Sequence, residues 1–275
     1  MHAWGIVGAG YSAFRGLADP MPEKSTPAPP DSGQPAAPPP VLIEKGEDPG
    51  VLVIAFTGFQ GGLTMPTFDF LALTKLTKYS RILLRDTSRT CYLGGIPPLL
   101  EDYGALLAHL RQHISELAPR RILCVGASSG AFGALLLGHE LGADYVHAFS
   151  PYTYLDRASV ERYQDPDGAG NQAEAFTRIH GLPADLRRLF DLQKVLARHN
   201  GKTRYFIHAC RNSRWDMLRA KHLKACPGVM VIGYPCAGHG VASTLARNGL
   251  LGGLLKLENQ EQMGRRIREA ISRGG

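Results

Sequence analysis

The sequence predicts an α/β protein in which a mainly parallel sheet is flanked by helices and carries a small helical cap. Short apolar runs rich in Val, Ile and Leu alternate with segments of helical periodicity from residue 51 onward. This is the pattern expected when right-handed crossovers join parallel strands. Hydrophobic residues make up 44 % of the 275 residues and charged residues 20 %, so the chain can bury one sizeable core.

Residues 1–40 are predicted to form a poorly ordered lead and a proline-rich linker before the folded domain, residues 41–275. Nine prolines fall within residues 20–40, and such a tract forms neither helices nor sheet ladders. The glycine motif around Gly8 is similar to a dinucleotide-binding fingerprint, but that fingerprint follows a strand and opens a long helix. We therefore expect no cofactor there, and deletion of residues 1–40 tests the alternative of a dinucleotide-dependent oxidoreductase.

The predicted strands are short β-branched runs bounded by breakers, as at residues 51–56 between Gly50 and Gly58. Residues 151–200 differ, because helical segments are interrupted there by Gly and Pro and no strand is evident. This excursion is expected to form the cap. The other predicted strands are 81–84, 121–125, 145–149, 205–208 and 229–233, and the predicted helices are 67–79, 99–117, 129–141 and one from about 241.

The motif Gly126-Ala127-Ser128-Ser129-Gly130 lies between a predicted strand and a predicted helix. This G-x-S-x-G arrangement is typical of a nucleophile elbow, whose tight turn exposes the serine hydroxyl and requires small residues two positions before and after it. Ser128 is therefore the candidate nucleophile. The alternative is a glycine-rich helix start that Ser128 merely caps.

A base and an acid follow in the chain order Ser, Asp, His. His239 lies between glycines after the last predicted strand, where it can accept the serine proton. Asp216 is the only carboxylate between Asp191 and Glu258, and it can hold His239 in the required tautomer. The alternative for Asp216 is an acidic residue that stabilises a helix N-terminus.

Acyl transfer also requires N–H donors for the oxyanion. The residue after the nucleophile, Ser129, supplies one candidate N–H. The loop after the first core strand supplies the other from Phe59 or Gln60, and Gly58 frees its backbone to turn.

Together these motifs resemble the α/β-hydrolase superfamily over residues 41 to about 257. The resemblance implies a mostly parallel sheet of about eight strands, with Ser128 as nucleophile, Asp216 as acid and His239 as base. One departure is Thr57, which stands where many members have a histidine, and the expected oxyanion geometry is less defined as a result.

The net charge of +7 is concentrated in residues 202–224, which hold seven basic residues and one acidic residue. A solvated basic face is one interpretation; attraction of an anionic substrate, such as an acyl group on coenzyme A or a carrier protein, is the other. Arg211 and Arg214 are the candidate substrate contacts on this segment. Gln60 is a further candidate substrate contact. After the strand at 81–84, a group of polar residues either contacts substrate or caps its own loop: Asp86, Arg85, Arg89 and Tyr92. No nucleic-acid signature accompanies the charge.

We expect no metal and no cofactor, since the ten histidines are scattered and no H-E-x-x-H motif occurs. The five cysteines show no C-x-x-C pair. Cys210 is expected to be a small buried hydrophobe, and Cys226 and Cys236 could approach one another. Without a secretory signal or an apolar run of roughly 18–20 residues, the chain is expected to be cytoplasmic, with its thiols reduced.

The function predicted from these residues is a serine hydrolase that acts on an ester or thioester through an acyl-enzyme. An acyltransferase would use the same triad. A non-catalytic scaffold is the alternative from another class, with residues 202–224 or the amphipathic tail at 258–273 binding an acidic partner. Reaction of Ser128 with a fluorophosphonate distinguishes the scaffold from the enzymes.

Overall fold

The structure is a computed structural model that describes residues 39–63, 66–166, 172–198, 200–236, 238–260 and 262. The glycine motif around Gly8, the prolines up to residue 38 and the tail beyond residue 262 lie outside the described residues. The predictions made for those segments are therefore not addressed by the structure.

The described chain forms one seven-stranded sheet that is parallel except at one edge. The strand order is β1-β3-β2-β4-β5-β6-β7, and β1 pairs antiparallel with β3. The mainly parallel sheet predicted from the alternating pattern is confirmed. The strands are β1 Val41–Glu44, β2 Asp48–Phe56, β3 Tyr79–Leu84, β4 Arg121–Ala127, β5 Tyr145–Phe149, β6 Arg204–Cys210 and β7 Val229–Tyr234.

Helices cover both faces of the sheet, because alternate side chains of each strand point to opposite faces. In β2, Leu52, Ile54 and Phe56 belong to one hydrophobic core, and Val53 and Ala55 belong to a second one. The described helices are α1 Thr67–Thr74, α2 Tyr103–Leu117, α3 Ser129–Glu140, α4 Arg157–Tyr163, α5 Ala173–His180, α6 Leu192–Leu196, α7 Arg214–His222, α8 Val241–Arg247 and α9 Leu251–Leu254.

Two predicted helices are shorter than their periodicity indicates. The helix expected over 67–79 ends at Thr74, because Lys75 adopts a left-handed conformation (φ 56°) and Tyr79 already pairs with Asp48 in the sheet. The helix expected over 99–117 begins at Tyr103, where the Asp102 carboxylate accepts the Ala105 N–H at 2.7 Å. Local capping and sheet pairing therefore override the apolar spacing at both positions.

The sequence analysis missed the edge strand β1. Its four residues are half-buried, follow Pro40 directly, and are too few to show an alternation. The strand is held by its antiparallel ladder with β3 and by an ion pair in which Arg81 Nε lies 2.7 Å from Glu44.

The predicted cap lies between β5 and β6. Its described part contains α4, α5, a 3₁₀ turn over Ala184–Leu189 and α6, with one isolated bridge between Tyr154 and Asp191 instead of a strand. Phe176 and Leu186 of this segment pack into the same core as α2 and α3. The helical character predicted for the excursion agrees with this arrangement.

A disulfide joins the last residue of β6 to the loop that follows β7. Cys210 ends β6 and pairs with Cys236, 26 residues later, so the expectation of reduced thiols at both positions is wrong. From the sequence, Cys226 is the cysteine expected to approach Cys236. That expectation does not take into account the β6–β7 pairing, which places Cys210 opposite Tyr234.

A row of buried polar side chains crosses the sheet from β5 to β7. His147 Nε2 donates to Gln260 Oε1 at 2.6 Å, because an amide oxygen can only accept. His147 Nδ1 then accepts from His208 Nε2 at 2.9 Å, and His208 Nδ1 accepts from the Tyr234 hydroxyl at 2.9 Å. Burial lowers the pKa of His147 to about 3 and holds that of His208 well below its ordinary value.

These buried neutral imidazoles predict a loss of stability in mild acid. The unfolded chain binds their protons below about pH 6.5 and the folded chain does not, so the free energy of unfolding falls as the pH drops from about 6.5 towards 3. His147 alone should account for about 2 kcal/mol between pH 7 and pH 5. The free energy of unfolding, measured with urea at several pH values in this range, should depend more steeply on pH in wild type than in His147→Gln. Equal slopes would contradict the prediction.

The disulfide predicts a thiol count and a stability change. The denatured, unreduced protein should titrate three thiols, those of Cys91, Cys124 and Cys226, and the reduced protein five. Replacing Cys210 and Cys236 together with Ala should lower the free energy of unfolding by about 3 kcal/mol, since the bond closes a long loop. Five thiols before reduction would show that the bond is absent.

Candidate active site

The turn between β4 and α3 places Ser128 in an unusual backbone conformation, with φ 57° and ψ −122°. A Cβ at Gly126 would lie 2.3 Å from the Gly130 carbonyl oxygen, and one at Gly130 would lie 2.2 Å from the Phe56 oxygen. Both positions therefore require glycine. The Ser128 side chain makes no capping hydrogen bond to α3, so the alternative of a simple helix cap does not describe it.

Ser128, His239 and Asp216 form a chain of hydrogen bonds. His239 Nε2 lies 2.9 Å from Ser128 Oγ, and His239 Nδ1 lies 2.8 Å from Asp216 Oδ1. A carboxylate only accepts, so Nδ1 carries the proton and Nε2 is left to accept the serine hydroxyl hydrogen. The structure thus brings together three side chains that the sequence separates by 111 and 23 positions.

The second carboxylate oxygen of Asp216 is also occupied. Asp216 is 1 % exposed, and its Oδ2 accepts from the Ser150 hydroxyl at 2.5 Å and from the Cys210 N–H at 3.3 Å. These donors stabilise the ionised carboxylate and fix its rotamer. The sequence analysis missed Ser150, although a polar residue directly after β5 was an available indication.

The loop after β2 forms a tight turn beside Ser128. Gly58 N–H donates to Gly62 O and Gly61 N–H to Gly58 O, both at 2.8 Å, which leaves Phe59 and Gln60 at the centre of the turn. Within the described residues neither of their N–H groups donates a hydrogen bond. Ser129 is the first residue of α3, where helical N–H groups have no intrahelical acceptor.

Thr57, the departure from the usual histidine, precedes this turn. Its carbonyl oxygen accepts from the Tyr92 hydroxyl at 2.9 Å, and its own side-chain hydroxyl is buried without a hydrogen-bond partner in the described part of the chain. Tyr92 therefore holds the end of β2, while the Thr57 side chain contributes no contact to Ser128 that the structure records.

Ser128 opens into a cavity of about 790 Å³, a size typical of small-molecule sites. The cavity is lined by predicted residues (Phe59, Gln60, Asp216 and His239) and by side chains that the sequence analysis did not single out. Among the latter are Tyr152, Gln172, Trp215 and Arg219. No motif marked them, because they come from the cap and from α7.

Arg219 illustrates how the cap is fixed to this cavity. It is 2 % exposed, and its Nε and Nη2 donate to both carboxylate oxygens of Asp165 at 2.9 and 2.6 Å. Its guanidinium lies over the Tyr152 ring at 4.2 Å. A buried bidentate pair of this kind is geometrically specific, so α7 and the cap segment before residue 167 are held together beside Asp216.

Three predicted substrate contacts lie apart from the described cavity lining. Asp86 is buried within its own loop, accepts from Ser88 and the Tyr92 N–H, and has a raised pKa because of burial. Arg211 donates to the Gly233 carbonyl at 2.8 Å. Arg214 is exposed and stacks on the Trp215 ring. Each of these three side chains thus interacts with another part of the same chain.

No group of three or more His, Cys, Asp or Glu side chains among the described residues is arranged to hold a metal ion. No helix in the described part of the chain has the length and apolar character needed to cross a bilayer.

Similarity to known proteins is confined to structure. No protein-family model and no curated protein matches the sequence. MenH from S. aureus is 15 % identical with a TM-score of 0.52, over 80 % of this chain and 98 % of MenH. The capsule O-acetyltransferase of Neisseria meningitidis serogroup A is 17 % identical with a TM-score of 0.52, over 76 % and 87 %. Carboxyl esterase 2 from the fungus Tuber melanosporum is 14 % identical with a TM-score of 0.50, over 78 % and 82 %. The chain adopts the α/β-hydrolase fold.

Proposed function

We propose that the protein is a serine hydrolase that cleaves an ester or thioester through an acyl-enzyme. The observation that supports this function is the continuous hydrogen-bonded row from Ser128 Oγ through His239 to the buried Asp216 carboxylate. It lies at the wall of a cavity large enough for a small-molecule ester. A non-catalytic scaffold would have no need of a strained serine aligned with a histidine.

In the first step Ser128 Oγ attacks the substrate carbonyl while His239 Nε2 takes the hydroxyl proton. The N–H of Ser129 and that of Phe59 or Gln60 would stabilise the oxyanion. Asp216 holds the His239 tautomer and stabilises the imidazolium. His239 then gives the proton to the leaving oxygen or sulfur as that bond breaks, which leaves the acyl group on Ser128.

Deacylation decides between hydrolysis and acyl transfer. Water activated by His239 releases the acid and regenerates Ser128; an alcohol or amine acceptor in its place gives acyl transfer. A structural neighbour is named as a capsule O-acetyltransferase, and one of its structures contains CoA, which supports acyl transfer as the second candidate. A coenzyme A- or carrier-linked acyl donor fits either outcome, and neither requires a metal or cofactor.

Fluorophosphonate labelling tests the nucleophile. Wild type should form one covalent adduct, located by mass spectrometry at Ser128, because His239 activates that hydroxyl. Ser128→Ala should give no adduct, and His239→Ala should react at least about 10³-fold more slowly. Circular dichroism should show that both variants are folded. A folded wild type that remains unlabelled would favour the scaffold instead.

Asp216→Asn tests the acid. The amide cannot stabilise the imidazolium or favour the required tautomer, so the labelling rate and ester turnover should fall by about 10³–10⁴-fold. The matched control is Asp185→Asn, an exposed carboxylate in the 3₁₀ turn of the cap, which should leave both rates unchanged. Equal rates in Asp216→Asn and wild type would remove Asp216 from the mechanism.

A further inference from the structure

The loop after β3 is strained in a way that the triad does not explain. Arg89, Cys91 and Tyr92 have φ values of 57°, 57° and 68°, a left-handed region that costs non-glycine residues conformational energy. Such strain persists where the surroundings over-determine the backbone. Here the buried Asp86 carboxylate does so, since it accepts the Tyr92 N–H at 3.2 Å and the Ser88 hydroxyl at 2.8 Å.

The left-handed backbone of this loop determines the position of Arg89. Its Nη2 donates to Gln172 Oε1 at 3.1 Å, and its guanidinium carbon lies 5.3 Å from the centre of the Phe59 ring. Gln172 and Phe59 both line the cavity that contains Ser128. Arg89 therefore lies directly behind two lining residues, one from the cap and one from the turn next to the nucleophile.

The charge of Arg89 is not neutralised by any carboxylate in the described residues, and its Nε is buried without an acceptor there. Arg219, which lines the cavity, differs because both oxygens of Asp165 pair with it. An arginine only donates, so Gln172 Oε1 must face Arg89 and the Gln172 amide hydrogens remain available to another acceptor. The Gln172 amide thus lies in the cavity lining with a guanidinium charge directly behind it.

We propose that Gln172, with the Arg89 charge directly behind it, forms a subsite for an anionic oxygen group, a carboxylate or phosphate, on the ester or thioester substrate. The Gln172 N–H₂ group can donate to such an oxygen, and the positive charge behind it attracts an anion. The cation stacked on Phe59 is less hydrated than one in open solvent, which strengthens its attraction for an anion. This inference rests on the proposed function, and it assigns the anionic preference to Arg89 in place of Arg211 and Arg214.

The test compares fluorophosphonates that differ only in charge. In the first pair, the alkyl chain that mimics the acyl group ends in a carboxylate in one probe and in the methyl ester of that carboxylate in the other. A second pair has the same groups on the alkoxy chain that mimics the leaving group. We expect wild type to label Ser128 at least about tenfold faster with the carboxylate member of one pair, and that pair identifies which side of the substrate is anionic.

Arg89→Met should remove this preference, so that the carboxylate and methyl ester members of the selective pair label Ser128 within about twofold of one another. Arg89→Lys should keep part of it, and Gln172→Glu should remove it, because the new carboxylate would pair with Arg89 and neutralise its charge. The matched control Arg111→Met, an exposed arginine on α2, should keep the full preference. Loss of the preference in Arg214→Met instead, its persistence in Arg89→Met, or its absence in wild type would each overturn the proposal.

A binding measurement separates this proposal from the triad. In Ser128→Ala, which cannot form the adduct, monomethyl adipate should bind more tightly than dimethyl adipate, as followed by the fluorescence of Trp215. The difference should vanish when Arg89→Met is added. Selective binding without labelling of Ser128 in wild type would retain the subsite and reject the hydrolase, whereas labelling without charge selectivity would do the reverse.

Discussion

The close approach of the Ser128 turn to the carboxyl end of β2 is the constraint on which the site depends. A Cβ at Gly130 would lie 2.2 Å from Phe56 O, and one at Gly58 would lie 3.1 Å from the Ala127 carbonyl oxygen. Two backbones packed this closely leave no room for side chains between them. As a result Ser128 and the turn at Phe59 line the same cavity, an arrangement that longer side chains would force apart.

The remaining site residues depend on hydrogen bonds that continue past the strand ends. Ser128 N–H donates to Phe149 O, Ser150 N–H to His208 O, and Arg211 N–H to Tyr234 O, at 2.9, 2.8 and 2.7 Å. Each loop therefore leaves the sheet in register with its neighbour. Because β4, β5, β6 and β7 are adjacent in that order, a serine, a second serine, an aspartate and a histidine reach one edge side by side, without a long connection that must be ordered separately.

This explains how much of the fold and site could be predicted. The elbow is encoded locally, since Gly126 and Gly130 are required within five residues, and the parallel order then places Asp216 and His239 at the same edge. The substrate side is not encoded locally. The net charge of a basic segment does not show where its side chains point. The sequence also does not show that Arg89 contacts Gln172, which is 83 positions away. The short edge strand and the Cys210 pairing likewise depend on sheet neighbours that periodicity does not reveal.

The disulfide between Cys210 and Cys236 persists only if the other thiols do not react with it. A free thiolate nearby would attack the Cys210–Cys236 bond and release Cys236, three positions before His239. Burial raises the pKa of Cys226 to about 11 and holds those of Cys91 and Cys124 above their ordinary values. These thiols are therefore protonated at neutral pH and poor nucleophiles. They also belong to the core on the other face of the sheet from Cys210 and Cys236, so position as well as protonation keeps them from the bond that joins these two residues.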